Sequence, residues 1–194
     1  QDMGQFWLTD ADFTKFSTPE WQDEAEVVSA DPDHRVCRHT ITTPGGTLTY
    51  LAEGNRMTTW VAEYLIKHDD DIRLIEKYMP VPRRDPAPVG RAYDAVGEDG
   101  ILRGFVWGDQ AGCWQHAACL IDTEALILRT FDDPGWVHEL LRIVTDKVIA
   151  RLSWLRSMGI GLEDGTYLID DSAGALSPSH YRAFVLPYNL RVLE

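Results

Sequence analysis

Several features that would define a class of protein are missing from this 194-residue chain. It contains no run of 18 apolar residues, so no membrane span is predicted. No basic segment followed by an apolar one opens the chain, so no secretory signal is predicted. There is no internal repeat and no low-complexity tract, which argues against a solenoid or a disordered protein. The first residue is not Met, and we therefore expect a further segment upstream.

Positive charge is also scarce. The chain has 18 Lys and Arg residues against 31 Asp and Glu residues, a net charge of -13. The acidic residues are spread over both halves and leave no basic patch, so the surface repels phosphate backbones and nucleic acid is not expected as a partner. Three cysteines, Cys37, Cys113 and Cys119, cannot all pair within the chain. We expect reduced thiols in the cytoplasm.

What the chain does contain is 44% hydrophobic residues, enough for one core. Residues 1–66 predict an irregular segment that becomes extended. The β-favouring residues of 35–42 and 47–53 flank the turn sequence Thr43-Pro44-Gly45-Gly46, a pattern typical of a β-hairpin. A third extended piece is predicted at 58–66. We expect this region to be an extension that precedes the main part of a single domain spanning 1–194.

Residues 67–194 have a different pattern, in which helices alternate with short strands. Strands are predicted at 101–107 and 166–169, and helices at 72–79, 122–130, 134–159 and 178–194. Strands that alternate with long helices pair in parallel, because the helix is the crossover. The predicted fold is α/β, a partial (β/α)8 TIM-type barrel with an N-terminal extension that contains a β-hairpin, and a complete barrel needs about 250 residues.

The longest predicted helix begins at Asp133-Pro134, with Asp as the N-cap and Pro in the first turn. Gly159 is predicted to end it. Apolar residues recur at helical spacing and predict one buried stripe, made of Val137, Leu140, Leu141, Val144, Val148, Leu152 and Leu155. The basic residues between them are predicted to lie on the solvated surface, namely Arg142, Lys147, Arg151 and Arg156.

Two adjacent carboxylates, Asp170 and Asp171, follow the second predicted strand in the sequence LIDDSAGALSP. The carboxyl ends of strands carry the site in α/β folds. Successive strand residues face opposite sides, so at most one of the two points into a barrel mouth, and the other caps or pairs behind it. The alternative is that both serve the turn, because Asp side chains readily bond nearby backbone N–H groups. Ser177 is predicted to be the N-cap of the last helix.

A second candidate segment, Trp107 to Leu120, follows the strand predicted at 101–107 and is interpreted as a loop at the same face. Its aromatic and polar residues are typical of a small-molecule pocket wall. Cys113, His116 and Cys119 match no zinc-binding spacing, so no metal ligand is assigned. The thiols are expected to be small buried groups. The alternative to a catalytic role for His116 is a core histidine bonded to a backbone carbonyl.

These segments resemble the uroporphyrinogen decarboxylase superfamily. The resemblance is carried by GFVWGDQAGCWQHAACL, FDDPGWVHELLRIVTDKVIARL and DDSAGALSPSHYRAFVLPY, and ITTPGGTLTY with TTWVAEYLIKHDDDIRLI resembles members close to corrinoid methyltransferases. The resemblance implies that the chain is the middle portion of a (β/α)8 barrel. It also implies a Tyr after the strand at 101–107 and a Ser after the strand near Ile169 in the decarboxylases. Gapless matching puts His116 and Asp171 at those positions, with Ser172 one residue further.

The family implies two reactions. Because both decarboxylase positions are replaced, the primary hypothesis is a methyltransferase-like member that moves a methyl group between a small methylated substrate and a corrinoid or a thiol. The alternative is decarboxylation of the acetate groups of uroporphyrinogen in porphyrin biosynthesis, which uses no cofactor. The third hypothesis is a truncated, non-catalytic fragment.

The candidate site follows from these hypotheses. Asp171 and His116 are the expected catalytic residues, and Trp107, Trp114, Asp170 and Ser172 are expected to bind substrate. No metal ligand is assigned within the chain, and the resemblance implies that any zinc would be held by residues outside it. Expected partners are a small-molecule or tetrapyrrole substrate, a corrinoid protein for methyl transfer and, because an open half-barrel exposes sheet edges, a second copy of the chain.

Overall fold

The computed structural model describes residues 6–7, 18–31, 33–81, 94–95, 97, 102–103, 112–157 and 170–194. Its strands are β1 (Phe6–Trp7), β2 (Gln22–Asp31), β3 (His34–Thr43), β4 (Gly46–Gly54), β5 (Thr59–Glu63) and β6 (Leu102–Arg103). Its helices are α1 (Asp71–Tyr78), α2 (Cys113–Ile121), α3 (Thr123–Asp132), α4 (Pro134–Ser157), α5 (Pro178–His180) and α6 (Leu186–Leu193). A 3-10 turn spans Asp171–Ala175, and a π-helical stretch at Tyr181–Val185 joins α5 to α6.

The first half forms a four-stranded antiparallel sheet in the order β2-β3-β4-β5. The predicted hairpin is confirmed, with Thr43 opposite Gly46 in the register of β3 and β4. The hydroxyl of Thr43 donates to the carbonyl of Gly46 at 2.8 Å and closes the turn. Gly46 has a φ of 153°, which L side chains rarely adopt, so a glycine is required there. The third predicted extended piece is present as β5.

Strand β2 corrects the prediction of an irregular segment before the hairpin. Residues 22–31 pair with β3 from Gln22 opposite Thr42 to Asp31 opposite His34. The sequence QDEAEVVSAD hides this strand because its acidic residues disfavour strands in general. Here β2 is an edge strand and none of its ten residues is buried, so charged side chains remain in water.

The helices of the second half enclose the main core. The predicted apolar stripe of α4 is confirmed, because Val137, Leu140, Leu141, Val144 and Val148 are all fully buried. Asp133 caps α4 as predicted, with the Trp136 N–H donating to its Oδ1 at 3.0 Å. The side chain of Leu155 and the predicted cap Gly159 lie outside the described residues. A single cluster of buried side chains extends from this helix to Ile41 and Leu48 of the sheet.

The predicted solvated face of α4 needs a correction. Arg151 is fully buried, with its guanidinium 4.5 Å from the ring centre of Trp154. Lys147 folds onto the end of α1, where its ammonium donates to the carbonyl of Met79 at 2.6 Å. Long basic side chains can cover apolar surface with their stems while the charged end finds acceptors. The helix is therefore covered on more of its circumference than its apolar stripe indicates.

Parallel pairing is present in one place. Strand β1 pairs with β6 in parallel, with Phe6 opposite Leu102 and Trp7 opposite Arg103. The described residues thus contain the mixed helices and strands of an α/β chain, but within the described ranges this two-residue pair is the only parallel contact, and a closed barrel is not shown. The strand predicted at 166–169 and the rest of the one at 101–107 lie outside the described residues.

Candidate active site

Helix α2 begins directly after Gly112, a residue without a side chain that could accept a hydrogen bond from the first turn. The carboxylate of Asp170 supplies the acceptor from a distant part of the chain. The backbone N–H of Gln115 donates to its Oδ1 at 2.8 Å, and the backbone N–H of Trp114 donates to the same carboxylate. A negative charge at a helix N-terminus is favourable, so Asp170 supplies the capping side chain that Gly112, the N-cap residue of α2, lacks.

Asp170 also joins α6 and the 3-10 turn to α2. The side-chain amide of Asn189 donates to Oδ2 of Asp170 at 2.7 Å. In return, the side-chain oxygen of Gln115 accepts from the backbone N–H of Ser172 at 2.8 Å. We call Gly112, Gln115, Asp170, Ser172 and Asn189 the Asp170 junction. It connects three elements through hydrogen bonds whose partners lie up to 57 residues apart in the sequence.

The position of Gly112 depends on its having no side chain. A Cβ built on Gly112 would lie 1.9 Å from Oδ1 of Asp170 and 2.0 Å from its Cγ. Atoms cannot approach so closely, so any other residue at 112 would displace the carboxylate. The glycine therefore allows Asp170 to reach the first turn of α2.

Electrostatics at Asp170 reflect its half-buried position. Burial is the largest effect and raises the pKa of Asp170 above its ordinary value. The hydrogen bonds from Gln115, Asn189 and Trp114 act in the opposite direction, and the charge of Asp171 raises the pKa further. The effect of burial on the pKa of Asp170 is therefore partly compensated by hydrogen bonds from neutral donors.

Asp171 differs sharply from its neighbour. It is the first residue of the 3-10 turn and its side chain is exposed. The prediction that one of the two carboxylates serves as a cap is confirmed, with Asp170 in that role. The orientation of Asp171 toward a barrel mouth, and its catalytic role, stay predictions.

The predicted substrate-binding residues are distributed unevenly. Trp114 is fully buried, and its indole N–H has no hydrogen-bond partner in the described part of the chain. Ser172 is half-buried, and its hydroxyl likewise lacks a partner among the described residues. Trp107 lies outside the described residues. Substrate binding by Trp107, Trp114, Asp170 and Ser172 stays a prediction.

His116 lies inside the core, and this agrees with the alternative of a core histidine. Its side chain is only 5% exposed. Burial, together with the positive charge of Lys147, lowers the pKa of His116 to about 3, so the imidazole is neutral at ordinary pH. The two predicted catalytic residues therefore occupy different environments: His116 is buried and Asp171 is exposed.

The segment predicted as a loop from Trp107 to Leu120 is corrected for its second part, which is helix α2. On this helix Cys113 is buried and Cys119 is exposed, so the two thiols do not face one site. Burial raises the pKa of Cys113 to about 11, which makes it an unreactive thiol. Among the described residues no group of three His, Cys, Asp or Glu side chains is arranged to hold a metal ion. The residues that the structure describes thus do not form a zinc site.

An open groove of about 420 Å³ lies beside the 3-10 turn. Its walls are mainly apolar and include one cation, with Ala173, Gly174, Leu176, Pro178, Tyr181, Arg182 and Leu186 as lining residues.

Leu176 ends the turn, and the Ser177 hydroxyl caps α5 by accepting from the backbone N–H of His180 at 3.3 Å, as the sequence predicted.

Three residues of the junction were not predicted from the sequence: Gly112, Gln115 and Asn189. A signal existed for Asn189, which lies on the same helical side as Val185 and Val192 and is therefore a polar residue in a buried pattern. A buried amide needs a partner, and this could have directed attention to a nearby carboxylate. Gln115 and Gly112 carry no comparable signal, because their role depends on a residue 55 positions away.

Comparison with known proteins identifies the family. The profile described as "Uroporphyrinogen decarboxylase (URO-D)" matches residues 58–194. The chain belongs to the uroporphyrinogen decarboxylase family. A protein named uroporphyrinogen decarboxylase from Nocardia farcinica is 48% identical over 137 residues, which cover 62% of this chain and 36% of that protein. The resemblance recognised in the sequence is thereby confirmed.

Further family members give shorter matches. A protein of the same name from Gloeobacter violaceus is 32% identical over 105 residues, covering 51% of this chain and 28% of the relative. One from Xanthomonas campestris pv. campestris is 42% identical over 64 residues, covering 33% and 17%. The chain thus matches about a third or less of the length of these relatives. No solved structure matches it.

Of the helices described, none is both long enough and apolar enough to cross a membrane.

Proposed function

We propose that the complete protein is a decarboxylase that removes acetate carboxyl groups from uroporphyrinogen or a closely similar tetrapyrrole. The observation that carries this proposal is the family match over residues 58–194, together with relatives that are all named uroporphyrinogen decarboxylase. These comparisons favour decarboxylation over the methyl transfer that was the first hypothesis from the sequence.

The position of Asp170 removes one objection to a polyanionic substrate. Two exposed carboxylates side by side would repel it. Asp170, however, is half-buried against the N-terminus of α2, where backbone N–H groups and the helix dipole offset its charge. Of these two carboxylates, Asp171 alone is exposed, so the repulsion from the pair is about that of a single charge.

The reaction requires a proton to replace the carboxyl group. A proton first adds to a carbon of the pyrrole ring; the bond between the methylene carbon and the carboxylate then breaks, CO2 leaves, and the protonated ring takes up the electron pair of that bond. A second proton adds to the methylene carbon, which becomes a methyl group, and the ring loses the first proton. In this proposal Asp171 holds or delivers a proton for one of these transfers, a role that suits an exposed carboxyl group on a fixed turn.

The experiment is incubation of the complete protein with uroporphyrinogen without oxygen, followed by chromatography of the products and measurement of CO2. We expect products with fewer carboxyl groups. Asp171→Ala should lower kcat by about 100-fold, the usual size of a general acid–base contribution. Asp132→Ala, which removes an exposed carboxylate at the end of α3, is the matched control and should leave kcat unchanged. Unchanged substrate with the folded wild-type protein would exclude this function.

Methyl transfer is the second candidate, because an exposed carboxylate, Asp171, occupies the position at which the resemblance implies a Ser in decarboxylases. It predicts that the complete protein demethylates a methylated donor in the presence of a corrinoid protein and does not consume uroporphyrinogen. Running both assays on the same preparation distinguishes the two reactions.

A further inference from the structure

The starting observation is a pair of hydrogen bonds that run in opposite directions between Gln115 and the segment 170–172. The Gln115 N–H donates to the Asp170 carboxylate, while the Gln115 side chain accepts from the Ser172 N–H. This pattern is similar to a capping box, in which a cap residue and a residue of the first turn satisfy each other's backbone groups. Here the two partners are 55 residues apart, so the pattern joins the 3-10 turn to α2 instead of closing one helix end.

Asp171 lies between the two residues that this pattern holds. Asp170 before it is fixed through both carboxylate oxygens, and Ser172 after it is fixed through its backbone N–H. The carbonyl of Asp170 also accepts from the Ala173 N–H at 3.0 Å and closes the turn. The backbone of Asp171 therefore has little freedom, although its side chain is exposed.

We propose that Asp170 is a positioning residue, which holds the turn of Asp171 and Ser172 against the N-terminus of α2 and so fixes the direction of the Asp171 side chain. This inference rests on the proposed function, in which Asp171 handles a proton. Removing the Asp170 carboxylate frees the turn and leaves the first N–H groups of α2 without their acceptor.

The first test measures the position directly and needs no substrate. The Gln115 N–H is in the first turn of α2, has no acceptor within the helix, and is protected from exchange by Asp170. In the complete protein, Asp170→Ala should raise the hydrogen-exchange rates of the Gln115 and Ser172 amides by about tenfold, the effect of one lost hydrogen bond to a charged group. Unchanged exchange at both amides would overturn the proposal.

The second test measures turnover. Asp170→Ala should lower kcat for uroporphyrinogen by about 10- to 100-fold with a much smaller change in KM, because a reacting group is displaced and not removed. The matched control is Asp133→Ala, which removes an N-cap of the same kind from α4. It should lower the thermal stability but leave kcat of the folded protein unchanged. Equal losses of kcat in the two variants would show that Asp170 only caps the helix and does not position Asp171.

The third variant is the conservative one, Asp170→Asn. The oxygen of the new amide can still accept from the Gln115 N–H, and its nitrogen can donate to the Asn189 side-chain oxygen, which has no partner among the described residues, once the Asn189 amide turns over. We expect both the protection of the Gln115 amide and kcat to recover to within about threefold of the wild type, since the geometry is restored. Failure of both to recover would contradict positioning by geometry.

The two proposals fail in different ways. A wild-type protein that is folded but inactive toward uroporphyrinogen refutes the proposed function, and the exchange rates then still decide whether Asp170 holds the turn. An active wild type with an Asp170→Ala variant of equal kcat refutes the positioning proposal alone.

Discussion

The antiparallel sheet β2–β5 and the helices α2–α6 differ in how far along the chain their partners lie. In the sheet, each strand pairs with the next one through a short connection, and β2 has no buried residue. In the helical half, α4 contributes six fully buried apolar residues to the core, and Asp170 binds a helix 55 residues earlier. Local pairing thus accounts for the sheet, whereas the candidate site depends on long-range contacts.

The largest expected difference between the two regions concerns apolar side chains. Leu140→Ala, at a fully buried position of α4, should lower the free energy of unfolding by about 2 to 5 kcal/mol because it leaves a cavity. Val27→Ala, at a position of β2 that is 51% exposed, should change it by less than about 0.5 kcal/mol. Denaturant unfolding measures both values. Similar losses would mean that the sheet carries as much of the packing as the helices.

The next effect concerns the Asp170 junction. Gly112→Ala should lower the free energy of unfolding by about 2 to 3 kcal/mol, because the new methyl group expels a hydrogen-bonded carboxylate. Gly174→Ala is the control, since a Cβ at that position of the 3-10 turn meets no atom within 4 Å. If the two substitutions have the same effect in denaturant unfolding, the close approach of Asp170 to Gly112 is not important for stability.

The third effect is a pH dependence located in the helical half. The pKa of His116 in the folded protein is about 3, below the ordinary value of 6.5, so the unfolded chain takes up the proton first. The stabilisation by neutral His116 is complete above pH 6.5 and is lost as the pH falls toward 3, by at most about 1.4 kcal/mol per pH unit. Lys147, whose positive charge acts on His116, adds to the shift.

His116→Gln tests this dependence, because Gln stays neutral at every pH. The free energy of unfolding, measured from pH 7 to pH 4, should fall less steeply in this variant than in the wild type. His68→Gln, at an exposed position before α1, should follow the wild-type curve. Parallel curves for the wild type and His116→Gln would show that the pKa of His116 is the same in the folded and the unfolded protein.

The smallest effect is expected at the ion pairs of Glu139, one of which lies within α4 while the other joins α4 to α1. Glu139 binds Arg142 at 3.0 Å and Arg73 at 2.6 Å, and these partners lower the pKa of Glu139 to about 2. Because the side chains are partly exposed, Glu139→Gln should cost less than about 1 kcal/mol at pH 7 and low salt. Since the folded pKa is below the ordinary 4.5, this stabilisation is present above pH 4.5 and is lost toward pH 2.

Salt sharpens this last prediction. The difference between Glu139→Gln and the wild type should shrink in 1 M salt, because exposed charges are screened over a few ångströms. Glu24→Gln, at an exposed position of β2 opposite the uncharged Thr40, is the control from the sheet and should show a much smaller change with salt. A salt-independent cost at Glu139 would point to lost packing instead of lost ion pairs.

Patterns within a few residues allowed much of the fold to be predicted. The turn at Thr43 to Gly46, the cap at Asp133 and the apolar stripe from Val137 to Val148 all express short-range rules, and each is confirmed. Strand β2 was missed because it is an edge strand whose acidic residues have a low propensity for β-strands. The burial of Arg151 was missed because helical spacing does not show which neighbours cover a side.

By itself the sequence determined the helices α1, α3 and α4, the presence of paired carboxylates after a predicted strand, and the family resemblance, because all of these depend on residue order. Only the tertiary structure decided which carboxylate faces inward and that His116 is buried. Burial has the largest effect on both groups: it raises the pKa of Asp170, against which Gln115 and Asn189 donate hydrogen bonds, and it lowers the pKa of His116, to which the charge of Lys147 adds. Burial and hydrogen bonding depend on the residues that lie next to a group, and here those residues come together only when distant segments of the chain pack.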